Sequence, residues 1–280
     1  MSYLSSLPRL KLKSLALSLL IGLAMTGCQP TSKDSGATST EAKSAPLSDS
    51  SGQNNTSSTA EATKVESTQS VAPAKTIIEQ PITILALGDS LTEGLGVAEN
   101  DAYPAQLEAA LKQAGYVNAK VINSGLSGET SSGLVNRLDW VLKTKPDITI
   151  LTTGANDAMR GIDVTTIDKN IRTAIKRLQD GGSVVVLGGM QVYDNLGDDY
   201  VKSFSAIYPK IAKDTGVTLI PFFLEGVGGD RSLNQADAIH PTKEGYTRIV
   251  NNNIIPVLMP TIETFVAQHP TPSTGKTSTN

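Results

Sequence analysis

The sequence predicts an α/β domain: a three-layer α/β/α arrangement in which a parallel sheet carries helices on both faces. Three observations predict it. Short runs of β-branched and other apolar residues alternate with segments whose apolar residues recur at helical spacing. The connections between them are short. The runs are apolar almost throughout, as strands covered on both faces are, rather than alternating apolar and polar.

Each element has its own local reason. Ile82–Leu87 is an apolar run suited to a buried strand, and Tyr103–Ala114 has helical apolar spacing. Ala119–Asn123 reads as a short strand, Ser131–Leu142 as a helix and Ile148–Thr152 as a β-branched strand. Val164–Gln179 is helical and stops at Gly181-Gly182. Val184–Leu187 is a strand, Tyr200–Thr215 a helix stopped by Gly216, Val217–Ile220 a last strand and Thr242–Val257 a last helix. These elements place one domain at Thr76–Ala267.

The flanks differ in composition. Arg9, Lys11 and Lys13 precede the apolar run Leu15–Met25, too short to span a bilayer stably, and the run ends in Met25-Thr26-Gly27-Cys28. Residues 1–27 therefore read as a signal peptide, and small residues before the chain's lone cysteine resemble a bacterial lipoprotein signal with Cys28 as the lipidated residue. The alternative is an incidental cysteine in an ordinary secretory leader. One cysteine permits neither an intrachain disulfide nor a thiolate metal cluster. Gln29 after Cys28 points, by the same resemblance, to the periplasmic face of the outer membrane. Residues 28–75 are dominated by Ser, Thr, Ala, Gly and Asn with scattered charges and no aromatic residue, and only Leu47, Val65 and Val71 are sizeable apolar residues. They are expected to form a disordered, lipid-anchored tether with a reach of roughly 40 Å. Residues 268–280 are expected to form a loose polar tail. Removing residues 1–27 takes away three positive and no negative charges, so the formal charge passes from −3 to −6. That balance argues against a nucleic-acid partner.

In open parallel sheets, ligand sites lie beyond the carboxyl ends of the strands. Gly88-Asp89-Ser90 follows the first strand, Ser127-Gly128 the second and Gly154-Ala155-Asn156-Asp157 the third, while Asp237 and His240 lie in the loop before the last helix. A serine hydroxyl needs a base to take its proton, and the base needs an acceptor that fixes its tautomer. The chain has two histidines. His269 falls in the polar tail, which leaves His240 as the base for Ser90, with Asp237 three residues before it. Taken alone, Asp237-Ala238-Ile239-His240-Pro241 also reads as a helix-initiating turn. An ester attacked by Ser90 passes through an oxyanion that needs preorganised donors. The backbone N–H groups of Ser90 and Gly128 and the Asn156 amide are placed to supply them. Singly, Gly128 is an ordinary turn glycine and Asn156 an ordinary loop or cap residue. Thr92 stands where a Gly-x-Ser-x-Gly elbow has its second glycine, so that architecture is excluded.

With those residues collected, the sequence resembles the SGNH (GDSL) hydrolase superfamily, in its thioesterase I, lysophospholipase L1 and arylesterase branch. Four blocks carry the resemblance, in order: Ala86–Gly94, Asn123–Ser131, Gly154–Asp157 and Asp237–Pro241. The third reads Gly-Ala-Asn-Asp where that branch often has a second glycine. The resemblance implies a flavodoxin-like fold, an ester or thioester hydrolase without metal or cofactor, and a small ester or lysolipid substrate. It implies Ser90, Asp237 and His240 as triad and Ser90, Gly128 and Asn156 as oxyanion donors. The protein is expected to be a monomer. Residues 188–199 and 225–236 are expected to shape the acyl pocket. Two rivals share these residues: a carbohydrate or peptidoglycan O-acetyl esterase, for which Trp140 and a few scattered tyrosines offer no clustered sugar platform, and a catalytically silent surface binding lipoprotein.

Overall fold

The computed structural model describes residues 76–270. Five strands form one sheet: β1 Ile82–Gly88, β2 Ala119–Gly125, β3 Ile148–Thr152, β4 Val184–Gly188 and β5 Thr218–Ile220. All pair in parallel, in the order β2-β1-β3-β4-β5. This is the doubly wound order expected of a flavodoxin-like sheet. Every residue of β3, and all but Thr83 in β1, is buried, because these central strands are covered on both faces.

The strand order dictates where the helices go. Helix α2 (Tyr103–Ala114) carries the chain from β1 to β2, toward one edge of the sheet. Helices α3 (Ser131–Val141), α5 (Val164–Asp180) and α6 (Asp198–Thr215) carry it the other way, to β3, β4 and β5. Crossovers between parallel strands are right-handed. Reversing direction therefore reverses the face, so α2 is set opposite the mutually packed α3, α5 and α6. The last helical segments pack beside α2 and complete that layer. Between the layers lies one apolar core, from Ile82 and Leu107 to Phe204, Ile254 and Leu258.

Two expectations at the C-terminus change. The helix expected over Thr242–Val257 runs on to Gln268. It begins as α7 (Lys243–Arg248), widens over Ile249–Ile254, where the Ile255 N–H bonds to the Val250 carbonyl, and continues past Pro256 in a helix that ends at Gln268. A simple pattern reads proline as a stop. Here the widened turn, and the place of Pro256 in the first turn of the final helix, absorb its missing N–H. That final helix buries Leu258, Ile262 and Phe265. His269, expected in a loose tail, instead caps it: its ring stacks on Phe265 at 4.3 Å, and its carbonyl accepts from Gln80, just before β1. It therefore sits at the N-terminal edge of the sheet. Among the described residues, no helix is long and apolar enough to cross a membrane. The expected signal peptide, Cys28 and the tether lie outside the described residues.

Candidate active site

Two adjacent strands, β1 and β3, lead chain-wise in opposite lateral directions, and the crevice at their carboxyl ends is the switch point of the sheet. Ser90 follows β1 and Asn156 follows β3, so the fold alone brings them to one crevice.

Ser90 opens a single helical turn, α1 (Ser90–Glu93), capped by the Asp89 carboxylate, which accepts the Leu91 N–H at 3.1 Å. The turn is seated by Thr92, fully buried and hydrogen-bonded to Thr152 of β3 at 2.8 Å. The position that excluded a glycine elbow thus carries a structural hydroxyl. His240 Nε2 lies 2.8 Å from Ser90 Oγ, and His240 Nδ1 lies 2.6 Å from Asp237 Oδ2. A carboxylate only accepts, so Nδ1 carries the ring proton and Nε2 is free to accept from the serine. Asp237 Oδ1 also accepts the N–H groups of Ile239 and His240 at 2.9 and 3.0 Å. The backbone N–H of His240, its ring and the Ile239 N–H hold the Asp237 carboxyl down at about 2. Its folded-state value is depressed, so its contribution to stability is present above about pH 4 and is lost as pH falls toward 2. The helix-initiating reading, with Pro241 at the first helical position, is not met: α7 begins at Lys243 with Thr242 as its cap, and Pro241 lies outside it, bridged to Asn234.

Asn156 lies in the short helix α4 (Ala155–Met159), buried, with Nδ2 donating to Asp89 Oδ2 at 3.2 Å. Burial pushes the Asp89 carboxyl up to about 6 against the hydrogen bonds that favour its charge. Gly128 sits in the exposed loop after β2 with φ +74°, a conformation glycine adopts without strain. The loop is fastened on three sides. Glu93 of α1 accepts from the N–H and hydroxyl of Ser127. Arg160, at the end of α4, donates to the Gly128 carbonyl at 2.9 Å. Glu129 forms a two-pronged ion pair with Arg137 of α3, both bonds 2.7 Å, while the same guanidinium donates to Ser124 Oγ and to the carbonyls of Ser124 and Gly88. Gly125 has to be glycine for a different reason: a Cβ there would lie 2.0 Å from the Glu93 nitrogen.

The structure therefore joins Ser90, His240 and Asp237 in one hydrogen-bonded chain and sets Asn156 and the Gly128 loop against the same short helix. Glu93, Glu129 and Asp157 stand within the four sequence blocks, but sequence reasoning gives them no role. Asp157 is fully buried and accepts from Ser131 N–H and Oγ at 2.7 and 2.6 Å, locking the third block to the start of α3. The partner of Glu129, Arg137, escapes sequence reasoning altogether, because nothing in the spacing of an amphipathic helix marks that arginine out.

A cavity of about 450 Å³ opens beside Ser90, within the usual range for small-molecule sites. Its walls include Leu91, Ala155, Met159, Met190, Phe222 and Ile239. Residues 188–199 contribute as expected, with apolar Met190, Val192 and Leu196 interleaved with Gln191, Tyr193 and Asn195. Of 225–236, only Gly228 and Gly229 reach it. The reason is geometric: the walls come from residues next to the strand ends, Leu91 beside Ser90, Ala155 beside Asn156 and Ile239 beside His240, which a loop-composition argument overlooks.

A doubly wound sheet with these four segments at its switch point defines an esterase-type hydrolase class. The match is specific: residues 86–248 fit the model of the GDSL-like lipase/acylhydrolase family, and the chain belongs to that family of SGNH hydrolases. It is an enzyme, a hydrolase acting on ester bonds. It is 35% identical over 179 residues to esterase TesA of Pseudomonas aeruginosa, covering 64% of this chain and 88% of that protein. It is 33% identical over 163 residues to the thioesterase 1/protease 1/lysophospholipase L1 of Escherichia coli K12, covering 58% of this chain and 76% of that protein. A crystal structure of TesA matches 64% of this chain and 98% of its own, with 35% identity and a TM-score of 0.61.

Proposed function

We propose that Ser90 is the nucleophile of an acyl-enzyme mechanism, with His240 as general base, Asp237 as the partner that fixes and charges the imidazole, and the N–H groups of Ser90 and Gly128 with the Asn156 amide as oxyanion donors. One observation carries the reading: the continuous chain from Ser90 Oγ to His240 to Asp237, at 2.8 and 2.6 Å, at the mouth of an apolar cavity. His240 takes the serine proton as Oγ attacks the carbonyl carbon, then returns it to the leaving alcohol or thiol. Water repeats the sequence to release the acid.

The substrates are carboxylic esters or thioesters with an acyl chain: aryl and short-to-medium acyl esters, lysophospholipids or acyl-thioesters. The relatives named esterase and thioesterase/lysophospholipase support that range, and the largely apolar cavity favours an acyl chain over a bare acetyl group. The leader residues and Cys28 fit an exported lipoprotein held at the outer membrane through its lipid.

The test is hydrolysis of p-nitrophenyl esters from acetate to palmitate by wild type and Ser90→Ala. The expected result is a maximum at intermediate chain length and a loss of at least about 10⁴-fold in the variant. Equal rates in the two proteins contradict the proposal.

A further inference from the structure

The turn that carries the acid and the base is held from two sides. On its inner side, Gln235 N–H donates to the His240 carbonyl at 2.7 Å, and the Gln235 amide donates to the carbonyls of Leu95 and Pro241 at 2.7 and 3.0 Å. The Ala238 N–H donates to the Gln235 carbonyl at 2.9 Å, and from the loop on the other side the Tyr193 hydroxyl donates to the Ala238 carbonyl at 2.8 Å. Ala238 lies between Asp237 and His240 at φ +59°, a left-handed conformation costly for any residue with a Cβ. Such a conformation persists only where its surroundings hold it. Tyr193 is 57% exposed and stands in the loop between β4 and α6, so the fold does not depend on it. Yet its ring lines the cavity beside Ser90, together with Ala238 and Ile239.

We propose that Tyr193 is a positioning residue for the Asp237–His240 turn, its hydroxyl holding the strained Ala238 carbonyl while its ring forms the adjoining wall of the acyl pocket. The inference rests on the reading of Asp237 and His240 as acid and base. It follows that the pocket wall and the alignment of the base share one side chain. Losing the hydroxyl should slow the chemical step while leaving substrate binding nearly intact, because the ring that touches the acyl chain remains.

The experiment is a double-mutant cycle of Tyr193→Phe and Ala238→Gly, with p-nitrophenyl octanoate as substrate and fluorophosphonate labelling of Ser90 as a second readout. Tyr193→Phe is expected to lower kcat about fivefold, the loss fitting one neutral hydrogen bond, with KM within about twofold. In the Ala238→Gly background glycine adopts the left-handed conformation unaided, so the same substitution should cost less than about twofold. Tyr193→Ala should also raise KM, because the wall is gone. A wild-type kcat in Tyr193→Phe, or an equal or larger loss in the glycine background, overturns the proposal. If wild type labels and Tyr193→Phe labels at the same rate, the proposal fails while the site reading stands. If wild type does not label at Ser90, both fail.

Discussion

Replacing Asp89 with asparagine should make the protein less stable in acid and more stable in mild alkali. The carboxyl is buried, 3% exposed, and accepts from Leu91 and Asn156. Desolvation raises it from 3.8 to about 6. A raised carboxyl in the folded state means that the folded protein binds more protons than the unfolded chain between about pH 4 and 6. Stability from this group is therefore highest below about pH 4 and falls as pH rises through 6. A shift of about two units corresponds to about 3 kcal/mol at full ionisation. Asparagine has nearly the same shape and no charge, so it does not suffer this penalty. It has one oxygen, however, and cannot accept from both Leu91 and Asn156, which costs about 1 kcal/mol at every pH. The variant should then be about 0.5 kcal/mol less stable at pH 4, approaching about 1 kcal/mol at lower pH, and up to about 2 kcal/mol more stable at pH 8. Urea unfolding of both proteins from pH 4 to 8 measures this directly, because other titrating groups cancel in the difference. A difference that stays constant across that range refutes the argument. The variant's kcat should fall at pH 8 even as its stability rises, since Asn156 has lost the acceptor that orients it.

Two further perturbations probe the oxyanion side. If Asn156 is the oxyanion donor proposed above, Asn156→Ala should lower kcat by about 10²–10³-fold with little change in KM, measured on p-nitrophenyl butyrate, because the donor acts mainly in the transition state. Arg137→Met strands the buried Glu129 carboxylate and should cost about 3–5 kcal/mol in urea unfolding. Adding Glu129→Met should recover much of that stability while kcat stays below wild type, since the Gly128 loop has lost one of its three fastenings.

The parts of the molecule that are legible in the sequence are those with local causes. β1 and β3 are apolar because both faces are covered, and Gly216 ends α6 in the left-handed conformation that glycine allows. His240 is reached by elimination between two histidines, and His269 lies at the opposite sheet edge, where its carbonyl accepts from Gln80. The features that escape depend on partners distant in sequence or on shape. The Arg137–Glu129 pair joins a helix to a loop through a contact that no periodicity encodes. Tyr193 reaches Ala238 across 45 residues. The continuation of the last helix past Pro256 is hidden because a local rule reads proline as a terminator, whereas the widened turn at Ile249–Ile254 accommodates it. The pocket is legible only in part, because loop composition says little about the residues flanking each strand-end side chain.

In the proposed mechanism Ser90 carries the acyl group during turnover. Acid-quenching the enzyme within the first turnovers of p-nitrophenyl octanoate, followed by digestion and mass spectrometry, tests it. The expected result is an octanoyl mass increment on the peptide containing Gly88-Asp89-Ser90-Leu91, growing with the initial p-nitrophenol burst and absent in Ser90→Ala. Rapid hydrolysis of the ester by a Ser90→Ala protein, or an acyl group trapped on any other residue, contradicts it.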